Sequence, residues 1–205
     1  MDSPRSVLSR PLLPASVAIY TTIGLAAFEG TAVAAALPQV VADLGRLDLL
    51  PWVITGFLFA SGVTTVLSGS LIDRFGIRKM FVIAVTTFTV AGSLAGVATS
   101  MPILVAVRLI HGAGSGMVFS VAMTAVAVIY PGHLIGRAYA ANSTVWGVMG
   151  ATAPGLAAFM LTTLSWRWIF FLNVPLGLLA LGVGYRVMPG RLEGADSLPI
   201  DVKGG

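Results

Sequence analysis

One carboxylate stands in the interior of an apolar run. Glu29 lies within residues 15–37, a stretch long and apolar enough to cross a bilayer. A charged group at that depth costs roughly 2.5–3.5 kcal/mol to insert, so its presence points to a functional site. One cation shares its situation, Arg108 in the run 102–129. Glu29 sits about eight residues from the outer end of its run, roughly 12 Å, and Arg108 about six residues from the outer end of its own, roughly 9 Å. The first run rises outward and the fourth descends inward, so the two charges lie at similar depth and can pair. Two readings follow. A static buried ion pair would fix the fold, and removing either partner would be costly. A proton switch would load Glu29 when the pair separates and unload it when the pair re-forms. His111, three residues after Arg108, is either a proton relay or a polar packing group between helices.

Other chemistries lack their parts. The chain has no Cys, so there is no disulfide, thiolate metal site or Cys nucleophile. Ser115 and His111 lie four apart on one helix, and nothing supplies the oxyanion hole of a serine protease. No His or carboxylate cluster has metal-ligand spacing. Gly112-Ala113-Gly114-Ser115-Gly116 has the glycine content of a nucleotide loop, but it lies inside an apolar run without a preceding strand, and close helix packing is the better reading. His133 falls in a loop and reads as solvated. The residues therefore describe neither an enzyme nor a metal or cofactor protein.

The elements that must position Glu29 and Arg108 are membrane helices. The chain has 205 residues, 57% hydrophobic and 10% charged, where a soluble domain carries about 25% charged residues. Mean hydropathy is +0.94. Six apolar runs lie at about 15–37, 50–71, 80–99, 102–129, 138–163 and 168–188, each near the length a bilayer requires. A polar lead, 1–14, precedes them and a polar tail, 189–205, follows. The first run is too long for the apolar part of a cleavable leader. Pro38, Pro51, Pro102, Pro131 and Pro189 lie at run edges; Pro154 and Pro175 lie inside runs and would kink them. The net charge of +4 forms no basic stripe, which argues against nucleic acid. The basic residues instead set orientation. With both ends cytoplasmic, Arg5, Arg10, Arg74, Arg78, Lys79, Arg137, Arg186, Arg191 and Lys203 lie inside, and only Arg46 and Arg167 outside. Trp52, Trp166 and Trp168 then fall at the outer ends, as an aromatic belt. Six spans with both ends inside permit two inverted groups of three.

Between the second and third runs stands Gly69-x-Leu71-x-Asp73-Arg74-x-Gly76-x-Arg78-Lys79. Charge alone would make this a cytoplasmic anchor, but an acid among bases at helix ends can also hold a conformation. The pattern resembles the signature loop of the major facilitator superfamily, with Ile77 where a basic residue is usual. The resemblance implies that Asp73 latches one of the alternating-access states. Leu104-x-x-x-Arg108-x-x-His111-Gly112-x-Gly114 resembles the superfamily's fourth-span motif, His111 replacing Gln, and implies a tie between Arg108 and proton transfer. The stretch from Phe28 to Pro38 resembles the first-span motif of its multidrug exporters. Glu29 stands for Asp, Thr31 matches, and Ala34 replaces Asn. Thr31 and His111 would then line a substrate or proton path. Gly150, Pro154 and Gly155 resemble a weakened form of the antiporters' fifth-span bend. Trp166-Arg167-Trp168 with Asn173, Pro175 and Gly177 resembles the opening of span six.

The chain is thus similar to the N-terminal six-helix half of a drug:proton antiporter of the fourteen-span type. The resemblance implies an all-α, multi-pass protein of the plasma (inner) membrane. It implies proton-coupled efflux of a hydrophobic or cationic small molecule, with lipid, protons and a C-terminal half absent from this chain as partners. A metabolite importer and a non-transporting fragment that requires a C-terminal half are the alternatives.

Overall fold

The computed structural model describes residues 6–190. Arg5, Arg191, Lys203 and tail positions 191–205 lie outside the described residues. The chain forms α1 (Leu13–Leu44), a 3-10 turn (Leu47–Leu49), α2 (Leu50–Phe75), α3 (Ile77–Gly96), α4 (Met101–Ile129), α5 (Gly132–Thr163), α6 (Arg167–Phe171) and α7 (Asn173–Val187). There is no strand among the described residues. The six spans are α1 to α5 and the pair α6–α7, each apolar enough to cross a membrane.

Several ends follow from local chemistry. Pro14, Pro51 and Pro102 sit in the first turn of α1, α2 and α4, where a missing N–H costs no helical bond. The segment between the second and third spans, read from sequence as a loop over 72–79, is a single residue. Gly76 adopts φ 84°, a region open to glycine, and α3 begins directly after it. Asp73 and Arg74 therefore belong to the last turn of α2, and Arg78 and Lys79 to the first turn of α3.

Two expectations are corrected. Pro38 does not end the first span; α1 continues to Leu44. Pro38 and Ala34, whose carbonyl it leaves unbonded, both lie on the exposed side of the helix. Val40 on the opposite side packs into the core, and Gln39 Nε2 donates to Leu161 O at 3.0 Å. Packing thus carries the helix past its proline. By contrast, the interruption expected from Pro175 is present: the sixth span breaks at Leu172, three residues before it, because a proline at 175 cannot donate to Phe171 O, and Pro175 then lies in the first turn of α7. Trp166 does not belong to an interfacial belt. It is buried, and its Nε1–H donates to Asp43 Oδ2 at 3.0 Å. Arg167 pairs with the same carboxylate, which fastens the end of α1 to the start of α6. The fifth span also starts earlier than expected, at Gly132, since Leu134 and Ala138 bury one face of its polar first turns.

The helices neighbour one another in the order α2, α4, α3, α7, α1, α5, with α1 and α4 also touching across the middle. The glycines of α4 let its neighbours close in. A side chain at Gly112 would strike Phe57 O, one at Gly116 would strike Ser61 O, and one at Gly114 would lie 2.6 Å from Phe88 N. Thr64 donates to Ala113 O at 3.0 Å and Thr65 to Gly116 O at 3.2 Å, which stitches α2 to α4. The glycine run is a packing surface, as its place in an apolar run implies.

Two apolar clusters fill the interior. One holds Ile19, Ile23, Phe81, Phe88, Val121 and Leu134; the other holds Phe28, Val33, Val53, Met101, Leu104 and Trp166. Along α1 the first ends at Ala26 and the second begins at Phe28; along α4 the second ends at Leu104 and the first begins at Val118. On α4 the gap holds buried Arg108 and His111, and on α1 Glu29 follows Phe28 at the near edge of the second cluster.

Candidate functional site

A polar layer contains Glu29, Arg108, His111 and Asn173, all buried. Helical spacing places Arg108 and His111 on one face of α4, three residues apart, and α1 brings Glu29 opposite. Arg108 Nη1 donates to Glu29 Oε1 in a short charge-assisted bond. The same nitrogen lies 3.2 Å from His111 Nδ1, and Arg108 Nε donates to Val53 O at 3.2 Å. The Phe57 ring lies 3.9 Å from the guanidinium carbon, a cation–π contact that replaces part of the lost hydration. On its other side, Glu29 Oε2 accepts from Asn173 Nδ2 at 3.0 Å. His111 Nε2 is also 3.0 Å from Oε2, but it makes no aligned hydrogen bond. Phe57 and Phe88 pack against the imidazole. Gly92 of α3 makes room for the group, since a Cβ there would lie 2.7 Å from Asn173 Nδ2 and 3.1 Å from the His111 ring. Side chains of α4 and the sixth span thus converge on one carboxylate of α1.

The expected pairing of Glu29 with Arg108 is present, and His111 joins it. The depth comparison rested on a helix end at 37, whereas α1 runs to Leu44. The charges still meet because Val33, Ala36 and Val40 share a packed cluster with Met101 and Leu104. Thr31 is not at this centre. Its hydroxyl donates to Ala27 O and Phe28 O of its own helix, at 3.3 and 3.0 Å. Asn173 is a site residue that residue-by-residue reading missed; its signal was the Asn-x-Pro-x-Gly pattern at 173–177.

The other motif residues lie elsewhere. Asp73 is exposed at the end of α2 and makes no ion pair among the described residues. Arg74 lies over the Phe75 ring at 5.4 Å. Arg78 Nε donates to Met188 O at 2.8 Å, and its backbone N–H to Pro189 O at 3.1 Å, which ties α3 to the end of α7. Gly69 faces open space. Gly150, Pro154 and Gly155 lie on the exposed side of α5, while Ala153 and Ala157 are buried. An apolar cavity of about 550 Å³ lies between α1, α5 and the sixth span; Tyr20, Gly24, Phe28, Val145, Met149 and Leu172 are among its lining residues. No group of His and carboxylate side chains able to hold a metal occurs among the described residues.

Known proteins are similar to this chain over most of its length. The multidrug transporter protein MdtP of Bacillus subtilis is 29% identical over 167 residues, which cover 82% of this chain and 31% of that protein. Multidrug resistance protein 3 of the same organism is 31% identical over 169 residues, 82% of this chain and 33% of that one. The chain therefore spans about a third of the length of these curated relatives. The inward-open xylose transporter XylE from E. coli superposes with a TM-score of 0.74 at 19% identity, over 87% of this chain and 48% of that one. That likeness concerns the fold. Residues 19–198 match the sequence profile of the Major Facilitator Superfamily, and the chain belongs to that superfamily.

Proposed function

We propose that this chain is the N-terminal six-helix bundle of a proton-coupled exporter of hydrophobic or cationic small molecules, with Glu29 and Arg108 as its coupling pair. The observation that carries the reading is the buried Glu29–Arg108 ion pair in a polar layer at the boundary of two apolar clusters. A purely structural role would be served at least as well by apolar residues of similar volume. A layer that can open, by contrast, can exchange a proton with water. The cavity that reaches Phe28, the neighbour of Glu29, is apolar and suits a hydrophobic substrate. The names of the curated relatives support export over import. The bundle sits in the plasma membrane with both ends cytoplasmic, which agrees with the distribution of Lys and Arg.

Asp73 acts as the latch. Exposed at a helix end and without an ion pair among the described residues, it is available to a second bundle in one access state. Gly150, Pro154 and Gly155, on the open side of α5, form the bend against which that bundle moves. Such movement of two bundles around a midplane site is the general plan of these carriers.

The test uses everted membrane vesicles from cells that express the chain together with a second six-helix bundle of the superfamily. A cationic fluorescent substrate should accumulate when the lumen is acidified, and collapse of the pH gradient should abolish accumulation. Glu29→Gln should remove the dependence on the gradient. Gradient-driven accumulation at wild-type level in Glu29→Gln would overturn the assignment.

A further inference from the structure

The imidazole of His111 is held in one tautomer by its surroundings. Arg108 Nη1 lies 3.2 Å from Nδ1. A guanidinium has only donors, so Nδ1 must offer a lone pair and the ring proton must reside on Nε2. The opposite tautomer would set N–H against N–H at Nδ1, and a lone pair against the carboxylate at Nε2. Nε2 is 3.0 Å from Glu29 Oε2, yet its N–H is unspent in the present geometry. Asn173 Oδ1 and Thr89 Oγ1 are also buried without partners in the same layer.

The groups that face the ring are few. From α1 comes Glu29 and from α4 itself Arg108. From α2 comes the Phe57 ring, from α3 Phe88 and Gly92, and from the sixth span Phe170 and Asn173. Only Glu29 and Arg108 are ionisable, and they act on opposite sides. With neutral His111 the cluster has no net charge. We propose that His111 is a second proton-binding group of the coupling centre, and that a proton and Arg108 compete for its Nδ1. Protonation forms an N–H bond at Nδ1 and breaks the Arg108 contact there. The doubly protonated ring then has two N–H groups, one facing Glu29 and one facing a guanidinium that must withdraw. No other atom changes its bonding. Loading His111 thus displaces Arg108 from Nδ1 and sets a cationic ring 3.0 Å from Glu29 Oε2.

This inference rests on the coupling-centre reading for its physiological meaning, but its test does not require transport. The chain has only two His residues, His111 and His133, so an imidazole ¹⁵N-labelled sample in lipid nanodiscs gives two ring systems. His133, exposed at the start of α5, serves as a second signal in the same spectra, and His111→Gln assigns which is which. Gln keeps an acceptor for Arg108 and a donor for Glu29 but cannot titrate. At alkaline pH, His111 should show an Nε2–H tautomer with bare Nδ1. Acidification should add the proton at Nδ1. Arg108→Gln should tighten proton binding at His111 by at least about tenfold, because a competing cation is gone. Glu29→Gln should weaken it by a similar factor. A His111 ring that keeps one tautomer throughout acidification of the folded protein would overturn the proposal, as would the same proton affinity in Arg108→Gln as in wild type. Should Arg108→Gln fail to fold, the wild-type and His111→Gln spectra decide the matter. A chain that binds protons at His111 but moves no substrate in vesicles would sink the export reading and leave this one standing.

Discussion

Arg108 satisfies four demands with one side chain. It bonds a carboxylate, an imidazole and a backbone carbonyl, and it lies on an aromatic face. A lysine would reach only part of this set, because its ammonium is a point charge without a planar fork. Glu29→Ala should therefore destabilise the bundle by about 3–5 kcal/mol, since Arg108 would be left charged and buried. Arg108→Ala should cost a similar amount. The double variant Glu29→Ala/Arg108→Ala should cost clearly less than the two single losses summed, because neither charge is stranded. Thermal unfolding in one detergent, read by loss of helical circular dichroism, measures all three. Equal additivity would mean that the two charges do not depend on each other. The Asp43–Trp166–Arg167 group lies at the helix ends with partly exposed charges, so Asp43→Asn should lower the unfolding midpoint far less than Glu29→Ala in the same assay.

Glycine has two different uses at the scale of the helix. On α4, Gly112 and Gly116 lie against backbone carbonyls of α2, with no room for a Cβ. Gly116→Ala should force α2 and α4 apart and lower stability by about 1–3 kcal/mol. On α5, nothing lies near Gly150. Gly150→Ala should leave the unfolding midpoint unchanged or slightly raised, as glycine is a poor helix former. If Gly150 belongs to the bend proposed for α5, efflux in vesicles should nevertheless fall. Normal efflux in a stable Gly150→Ala protein would count against that bend. The run of prolines teaches a related lesson. Pro51 and Pro102 start helices, as their place at run edges implied, while Pro38 lies inside one. The difference is tertiary: Val40, Val41 and Leu44 pack beyond Pro38, and that packing outweighs one missing bond.

Across the whole bundle, burial is uneven. In the apolar windows of α2 and α5 only 17% and 11% of residues are buried, against 50% or more in α1, α3 and α4. Phe59 and Val66 of α2 and Phe159 of α5 are 71%, 81% and 64% exposed. Some of this surface meets lipid. If the bundle works with a second one, part of it is covered by that bundle. The absence of Cys makes this measurable. Single cysteines at Val66 and Phe159 should react with a membrane-permeant maleimide when the chain is expressed alone. At least one should become several-fold slower when a second bundle is co-expressed. Unchanged rates at both positions, and along both helices, would argue that the chain acts without such a partner. The same approach tests orientation: a cysteine at Lys79 should label from the cytoplasmic side and one at Asp48 from the other.

Much was legible in the sequence because a bilayer restricts the options. Six runs of bilayer length could only be helices, since an unpaired backbone in lipid is too costly. Two opposite charges inside such runs had few partners besides each other. Glu29 and Arg108 could therefore be paired by depth alone, even though the assumed end of α1 was wrong. What depth cannot supply is rotation about the helix axis. Whether Asn173 faces Glu29, whether Thr31 turns back onto its own carbonyls, and whether Trp166 points to lipid or core all depend on which helices are neighbours. So does the tautomer of His111, set by Arg108 on one side and Glu29 on the other. Chain composition determined that these helices exist and how deep their charges lie; only packing among α1, α3, α4 and the sixth span decided which polar atoms meet.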